Sequence, residues 1–158
     1  MGRRYWLFKS EPDVYSFDDL IEEADGTCFW EGVRNYQARN FLRDEVKQGD
    51  RVFFYHSRVK PMAIVGTAEI VREGSVDPEQ FDPKAKYFDP KSDPDNPRWY
   101  GVHLEYRSVF KNPITLQELK GVSGLEEMVL LRKGSRLSIQ PVSWAQWKVI
   151  SRLGGVRA

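Results

Sequence analysis

Two segments in the middle of the chain, Val52-Phe53-Phe54-Tyr55 and Ala63-Ile64-Val65-Gly66-Thr67-Ala68, constrain the fold more than any other feature. A strand with one wet face alternates apolar and polar residues, whereas a nearly unbroken apolar run needs cover on both faces. Both segments are therefore predicted to be central strands of a sheet, joined by a turn that contains Lys60-Pro61. Gly66, inside the second, marks a bulge or a close approach to the backbone.

The rest of the pattern is irregular. Tyr5-Trp6-Leu7-Phe8-Lys9 predicts a first strand, ended at Glu11-Pro12 because proline offers no ladder donor. Ser16 as N-cap, with Asp18 and Asp19 after it, predicts a short helix ending near Gly26. A second helix is predicted from about Asn35 to Lys47, stopping at Gly49. Trp99 to Phe110 reads as a long strand, with rough alternation at Val102, Leu104 and Tyr106. Thr115/Glu118, Ser123/Glu126 and Ser143/Gln146 have capping-box spacing and predict short helices opening at Leu116, Gly124 and Trp144. Leu137 to Pro141 alternates as an edge strand does. From Glu73 to Arg98 the character changes, with Pro78, Pro83, Pro90, Pro94 and Pro97 among Asp77, Asp82, Asp89, Asp93 and Asp95. Such a long excursion is functional or mobile, and apolar strands resume after it. Five or six strands and about five short helices in this order lack the βαβ alternation of a doubly wound sheet. The fold class expected is α+β: a curved mixed sheet or small barrel flanked by short helices, in one domain over residues 1–158.

Composition narrows the function. The 158 residues suit one domain with a real core, and no apolar run approaches the roughly 20 residues that span a bilayer. Charged Lys9, Glu11 and Asp13 interrupt any signal-peptide core, and Cys28 has no partner for a disulfide. A cytoplasmic monomer with no membrane partner is expected. Residues 1–100 carry a balance of −4 and residues 101–158 a balance of +5, so a polyanionic partner is permitted without being demanded. No phosphate loop, dinucleotide fingerprint or Cys/His cluster is present, which speaks against nucleotide cofactors and a zinc site. No cofactor and no metal are expected. Cys28, beside Phe29 and Trp30, reads as a small core residue, and Glu11 and Glu31 stand as either turn carboxylates or acid/base groups.

Three segments combine an aromatic with small polar or charged groups: Phe8-Lys9-Ser10-Glu11-Pro12, Phe29-Trp30-Glu31-Gly32-Val33-Arg34-Asn35-Tyr36 and Phe54-Tyr55-His56-Ser57. Pockets form at strand exits, and a stacking ring with a few hydrogen-bonding groups suits a planar heterocycle such as a nucleobase. The same combination also arises at strand ends with no ligand.

These segments resemble the EVE domain family, and the likeness runs in order through Tyr5–Pro12, Trp30–Arg43, Gly49–Ser57, Val65–Glu69 and Arg136–Val142. The resemblance implies a PUA-like curved mixed sheet and a non-catalytic reader of a modified, flipped base in DNA or RNA. It also implies a kinship with YTH domains, whose aromatic cage has Lys9, Ser10 and Trp30 in matching places. On that basis Trp30 stacks on the base, Ser10 bonds its edge and Glu11 accepts from an exocyclic amine. Phe8 and Trp99 are expected as further walls, Tyr87-Phe88 as a lid, and Tyr55, His56 and Ser57 as lining. Asn35 and Arg34 fix the Trp30 loop or bind phosphate; Lys9 holds phosphate or pairs with Glu11. Arg132, Lys133 and Arg136 are expected to meet the backbone, against repulsion from the acidic excursion. The chain lacks the basic N-terminal extension of the family's eukaryotic branch, so a bacterial-type, domain-only member is expected. Two competing functions are an enzyme acting on a nucleotide or nucleobase with Glu11 or Glu31 as acid or base, and a small-ligand or protein-binding module using the same pocket.

Overall fold

The computed structural model describes residues 2–134 and 136–158. Six strands form one sheet: β1 (Tyr5–Ser10), β2 (Thr27–Trp30), β3 (Arg51–His56), β4 (Ala63–Val76), β5 (Tyr100–Thr115) and β6 (Ile139–Val142). Their spatial order is β2-β5-β4-β3-β1-β6. β1 and β3 run parallel, in register from Tyr5 with Arg51 to Ser10 with His56, and the other neighbours are antiparallel. Four helices are added: α1 (Phe17–Glu22), α2 (Tyr36–Asn40), α3 (Leu116–Lys120) and α4 (Trp144–Gly154). Among the described residues, no helix is long and apolar enough to cross a membrane.

The unbroken apolar strands have the cover they require. Trp6, Phe8, Val52, Phe54, Ala68 and Ile70 face one core, into which α1 sends Phe17 and Leu20 and α2 sends Ala38. Leu7, Phe53, Tyr55, Ile64, Phe110 and Ile114 face a second core, closed by Leu119 of α3 and by Trp147 and Ile150 of α4. A side chain added at Gly66 would collide with the Phe17 ring and the Ser108 carbonyl, and the β4–β5 register shifts there. Gly66 is thus both a bulge and a close approach.

Several expectations are corrected. The sheet is open, because β2 and β6 lie at its two edges and do not meet, so it is no barrel. β2 is a strand that the sequence reading did not name. The helix expected from Asn35 to Lys47 is α2 followed by a π-helical turn at Phe41–Glu45 that Val46 ends in extended conformation. β4 runs to Val76, into the segment assigned to the excursion, and β5 continues past Phe110 to Thr115. No helix opens at Gly124: its φ of +97° is left-handed, and its N–H donates to both Glu126 carboxylate oxygens in a local turn. The capping boxes at Thr115 and Ser143 do form, as does one between Ser16 and Asp19.

Candidate nucleic-acid interface

Parallel β1 and β3 deliver their C-terminal ends to the same edge of the molecule. The Ser57 N–H donates to the Ser10 carbonyl at 2.9 Å, which ties the two exits together. Ser10 Oγ donates to the Tyr15 carbonyl at 2.6 Å, so the connection after β1 folds back over the strand end. Glu11 lies 3.9 Å from Arg58 at the surface. The Lys9 N–H donates to the Ser138 carbonyl, so the approach to β6 passes the same exit with Arg136, exposed, two residues earlier.

Above this exit sits an aromatic box. Trp30, the last residue of β2, is enclosed by Phe8 at 5.4 Å between ring centroids, Phe54 at 5.5 Å and Tyr15 at 6.4 Å. Phe54 and Tyr15 both meet it nearly at right angles, the edge-to-face geometry that aromatic quadrupoles favour. Trp30 keeps 8% of its surface, and Phe8 none. His56 lies beside Phe54, and its Nε2 accepts the Phe17 N–H at 3.0 Å, capping the start of α1. The structure brings Phe8, Ser10, Trp30 and His56 to one face. Tyr55 is corrected: strand alternation turns it to the opposite core, and Lys9, paired with it in register, follows. Burial holds the Lys9 ammonium pKa below its ordinary value.

That His56 nitrogen is an acceptor, so the imidazole is held neutral. Burial lowers its pKa from the ordinary 6.5, with Asp18 opposing, and His103 is lowered by burial and by Arg72. Above pH 6.5 both rings are neutral whether the chain is folded or not. As pH falls through 6.5, the unfolded chain takes up protons that the folded chain refuses, and stability falls until the folded pKa is passed. Glu31, raised mainly by burial, works in the opposite sense above its ordinary 4.5. The urea midpoint is expected to be lower at pH 5.5 than at 7.5, with a smaller difference in His56→Asn. Equal midpoints for the native chain would refute the assignment.

A second cluster joins the Trp30 loop to the excursion. Asp77 is fully buried; its Oδ2 accepts from Gly32 N and Arg34 Nη1, both at 2.9 Å, and its Oδ1 accepts from Glu79 N at 2.8 Å. Arg34 also donates to the Tyr87 carbonyl through Nε and Nη2, at 3.1 and 2.6 Å. Its guanidinium carbon lies 5.2 Å from the Trp99 ring centroid, and Trp99 Nε1 donates to Asp89 at 2.7 Å. Arg34 is therefore a fastener, not an open phosphate ligand, and Trp99 anchors the excursion, its ring stacked on Tyr36 and not on Trp30. Tyr87 packs on Gly32, where an added Cβ would lie 2.6 Å from its ring. Asn35 is the N-cap of α2, its Oδ1 accepting from Ala38 N at 3.0 Å. Glu31, Asp77 and Glu79 each bring a carboxylate oxygen within 4.8 Å of the others. Of the three, Asp77 is engaged through both oxygens with Gly32, Arg34 and Glu79.

Sequence reasoning left Tyr36, Arg39 and Arg98 out of the site. Tyr36 is exposed and stacks on Trp99 at 4.8 Å and 26°, with Arg39 5.0 Å from its ring and Arg98 Nη1 donating to its hydroxyl at 3.4 Å. An exposed ring set among arginines, on the motif already singled out around Trp30, was the available signal. Arg132 donates back to the Glu127 carbonyl at 3.3 Å, and Lys133 is exposed. Burial pushes the Cys28 thiol up to about 11, so it stays protonated and inert at neutral pH.

An open mixed sheet of six strands with a few short helices makes this a small α+β domain. The EVE domain model matches residues 4–153, and the chain belongs to the EVE domain family. Thymocyte nuclear protein 1 of Danio rerio is 40% identical over 165 residues, covering 94% of this chain and 71% of that protein. The crystal structure of a Pseudomonas syringae protein matches with a TM-score of 0.89 at 44% identity, covering 95% of this chain and 99% of that one. The crystal structure of human THYN1 in complex with 5-methylcytosine containing DNA matches with a TM-score of 0.91 at 38% identity, covering 98% and 99%.

Proposed function

We propose that this chain is a non-catalytic DNA-binding module that reads a methylated or hydroxymethylated base, flipped out of the helix, in the aromatic box around Trp30. The observation that carries this reading is the box itself, four rings gathered at the point where β1 and β3 leave the sheet. A flipped base is held by stacking on such a ring and by hydrogen bonds to its edge, for which Ser10, Glu11 and Ser57, at or just past the two strand exits, are the candidates. Trp30 is nearly covered, so the base enters by parting it from a neighbour. Tyr15 is that neighbour, since it belongs to the connection between β1 and α1 and not to the sheet. Tyr36 with Arg39 and Arg98, and Arg136 on the other side, would meet the flanking phosphates. The likeness to human THYN1, whose structure holds 5-methylcytosine containing DNA, supports the choice of DNA and of a modified cytosine.

The test is anisotropy titration of labelled oligonucleotides carrying one plain, methylated or hydroxymethylated cytosine or one methylated adenine, as DNA and as RNA. Trp30→Phe, which keeps a ring in the core, runs beside the native chain. One modified base is expected to bind about tenfold tighter than its plain counterpart, from a stacking contribution of ~1–3 kcal/mol, and the variant to lose most of that preference. Equal binding of plain and modified oligonucleotides by the native chain would sink the reading.

A further inference from the structure

We propose that the opposite end of β1 carries a second nucleic-acid contact: a basic trough with a stacking platform at Trp144, which grips flanking DNA without reading it. The inference rests on the DNA-binding reading above, but no residue that lines the trough belongs to the reading box. Trp144 opens α4 and is 48% exposed, an unusual position for a large ring. It is rigidly mounted. Tyr5 stacks on it at 5.3 Å, Trp147 lies 4.9 Å from Tyr5, and Phe53 stacks on Trp147 at 3.9 Å, so a ladder of rings runs from the core to the surface.

Beside Trp144 lies a hollow of about 210 Å³, lined by Arg3, Arg4, Tyr5, Pro141 and Val142 as well. That is below the ~300–1,000 Å³ of pockets that enclose whole small molecules, and it suits one planar group. Arg3 and Arg4 also line a neighbouring hollow of about 580 Å³ to which Lys47 contributes. Two carboxylates adjoin the trough: Glu45, 3.3 Å from Arg4, and Asp50, which is buried and accepts from Trp6 Nε1, Arg4 N and Lys47 N. The charge continues along α4. Lys148 Nζ lies 5.4 Å from the Trp144 ring, Arg152 follows one turn on, and both are exposed. No Asp or Glu occurs after Glu127, while Arg132, Lys133, Arg136, Lys148, Arg152 and Arg157 all do. Aromatic platforms set among cations are how proteins hold single-stranded nucleic acid without sequence preference, so the flanking strand would be unpaired at Trp144.

β1 spans six residues, so Tyr5 at the trough and Ser10 at the strand exit, where the edge of the base would be read, stand roughly 17 Å apart along the strand. At ~3.4 Å per nucleotide of one strand, that is about five nucleotides. The trough would therefore add affinity only where DNA extends about that far from the read base.

The experiment compares the native chain, Trp144→Ala, and the double variant Lys148→Gln/Arg152→Gln on duplexes with a single-stranded overhang, with and without one 5-methylcytosine, at several salt concentrations. Trp30→Phe is included, and circular dichroism checks that each variant is folded. The trough variants are expected to weaken both duplexes about tenfold, to leave the ratio between them unchanged, and, for the double variant, to lower the salt slope by about two. Native affinity and slope in both variants would overturn the trough and leave the reader standing. No preference for the modified duplex, with sensitivity to Trp144→Ala retained, would remove the reader and leave the trough. Competition by polyglutamate as effective as that by DNA would also overturn it, in favour of an acidic polypeptide partner. Absence of any DNA binding by the native chain would end both.

Discussion

Asp77→Ala is expected to cost about 3–5 kcal/mol, the range for leaving one partner of a buried ion pair uncompensated. Asp77 has no exposed surface, and its two oxygens hold Gly32, Arg34 and Glu79 at once. Removing them strands the Arg34 charge between the Tyr87 carbonyl and the Trp99 ring, with two backbone N–H groups unpaired beside it. Thermal unfolding should shift down by about 6–20 °C for a chain of this size. Asp77→Asn keeps an acceptor for part of the set and should fall between the two. A shift of under about 2 °C in the alanine variant would mean that the excursion is fastened by its other contacts.

Trp30→Ala should be comparably severe, at about 3–5 kcal/mol, because the ring fills space that Phe8, Phe54 and Tyr15 cannot close. Trp144→Ala, at a half-exposed ring, should stay within about 1 kcal/mol. Urea denaturation of the two variants side by side makes the comparison. Equal losses would contradict the packing described for Trp30. The consequence for binding work is direct: loss of DNA binding in Trp30→Ala reports unfolding as readily as a lost contact, whereas Trp30→Phe separates them.

The elements legible in the sequence were those whose signal is local. Unbroken apolar runs located β3 and the start of β4, and capping chemistry located the starts of α1, α3 and α4. The Ser123/Glu126 pair misled because the same spacing serves a turn when Gly124 takes a left-handed φ. β2 escaped notice because it is only four residues long, and its pairing with β5 joins residues more than seventy positions apart. The candidate site divides in the same way. Trp30, Ser10 and His56 share one face of the sheet. Tyr55 was misplaced because adjacent residues on a strand face opposite cores. Arg34 and Trp99 looked available until the excursion that engages them was in view. A side chain's type is written in the sequence, but the partners that already occupy it are long-range.

The position of β1, parallel to β3 on one side and antiparallel to β6 on the other, bears on how the chain is made. β1 leaves the ribosome long before it is flanked on both sides, since β6 begins at Ile139. At 5–20 residues per second, translation separates the two by on the order of ten seconds. Throughout that interval Tyr5-Trp6-Leu7-Phe8 has at least one open edge, an aromatic strand of the kind that recruits neighbouring chains. Arg3 and Arg4 before it and Lys9 within it supply the like charge that keeps nascent copies apart. Arg3, Arg4 and Lys9 thus serve as gatekeepers during synthesis before any of them lines a surface of the finished protein.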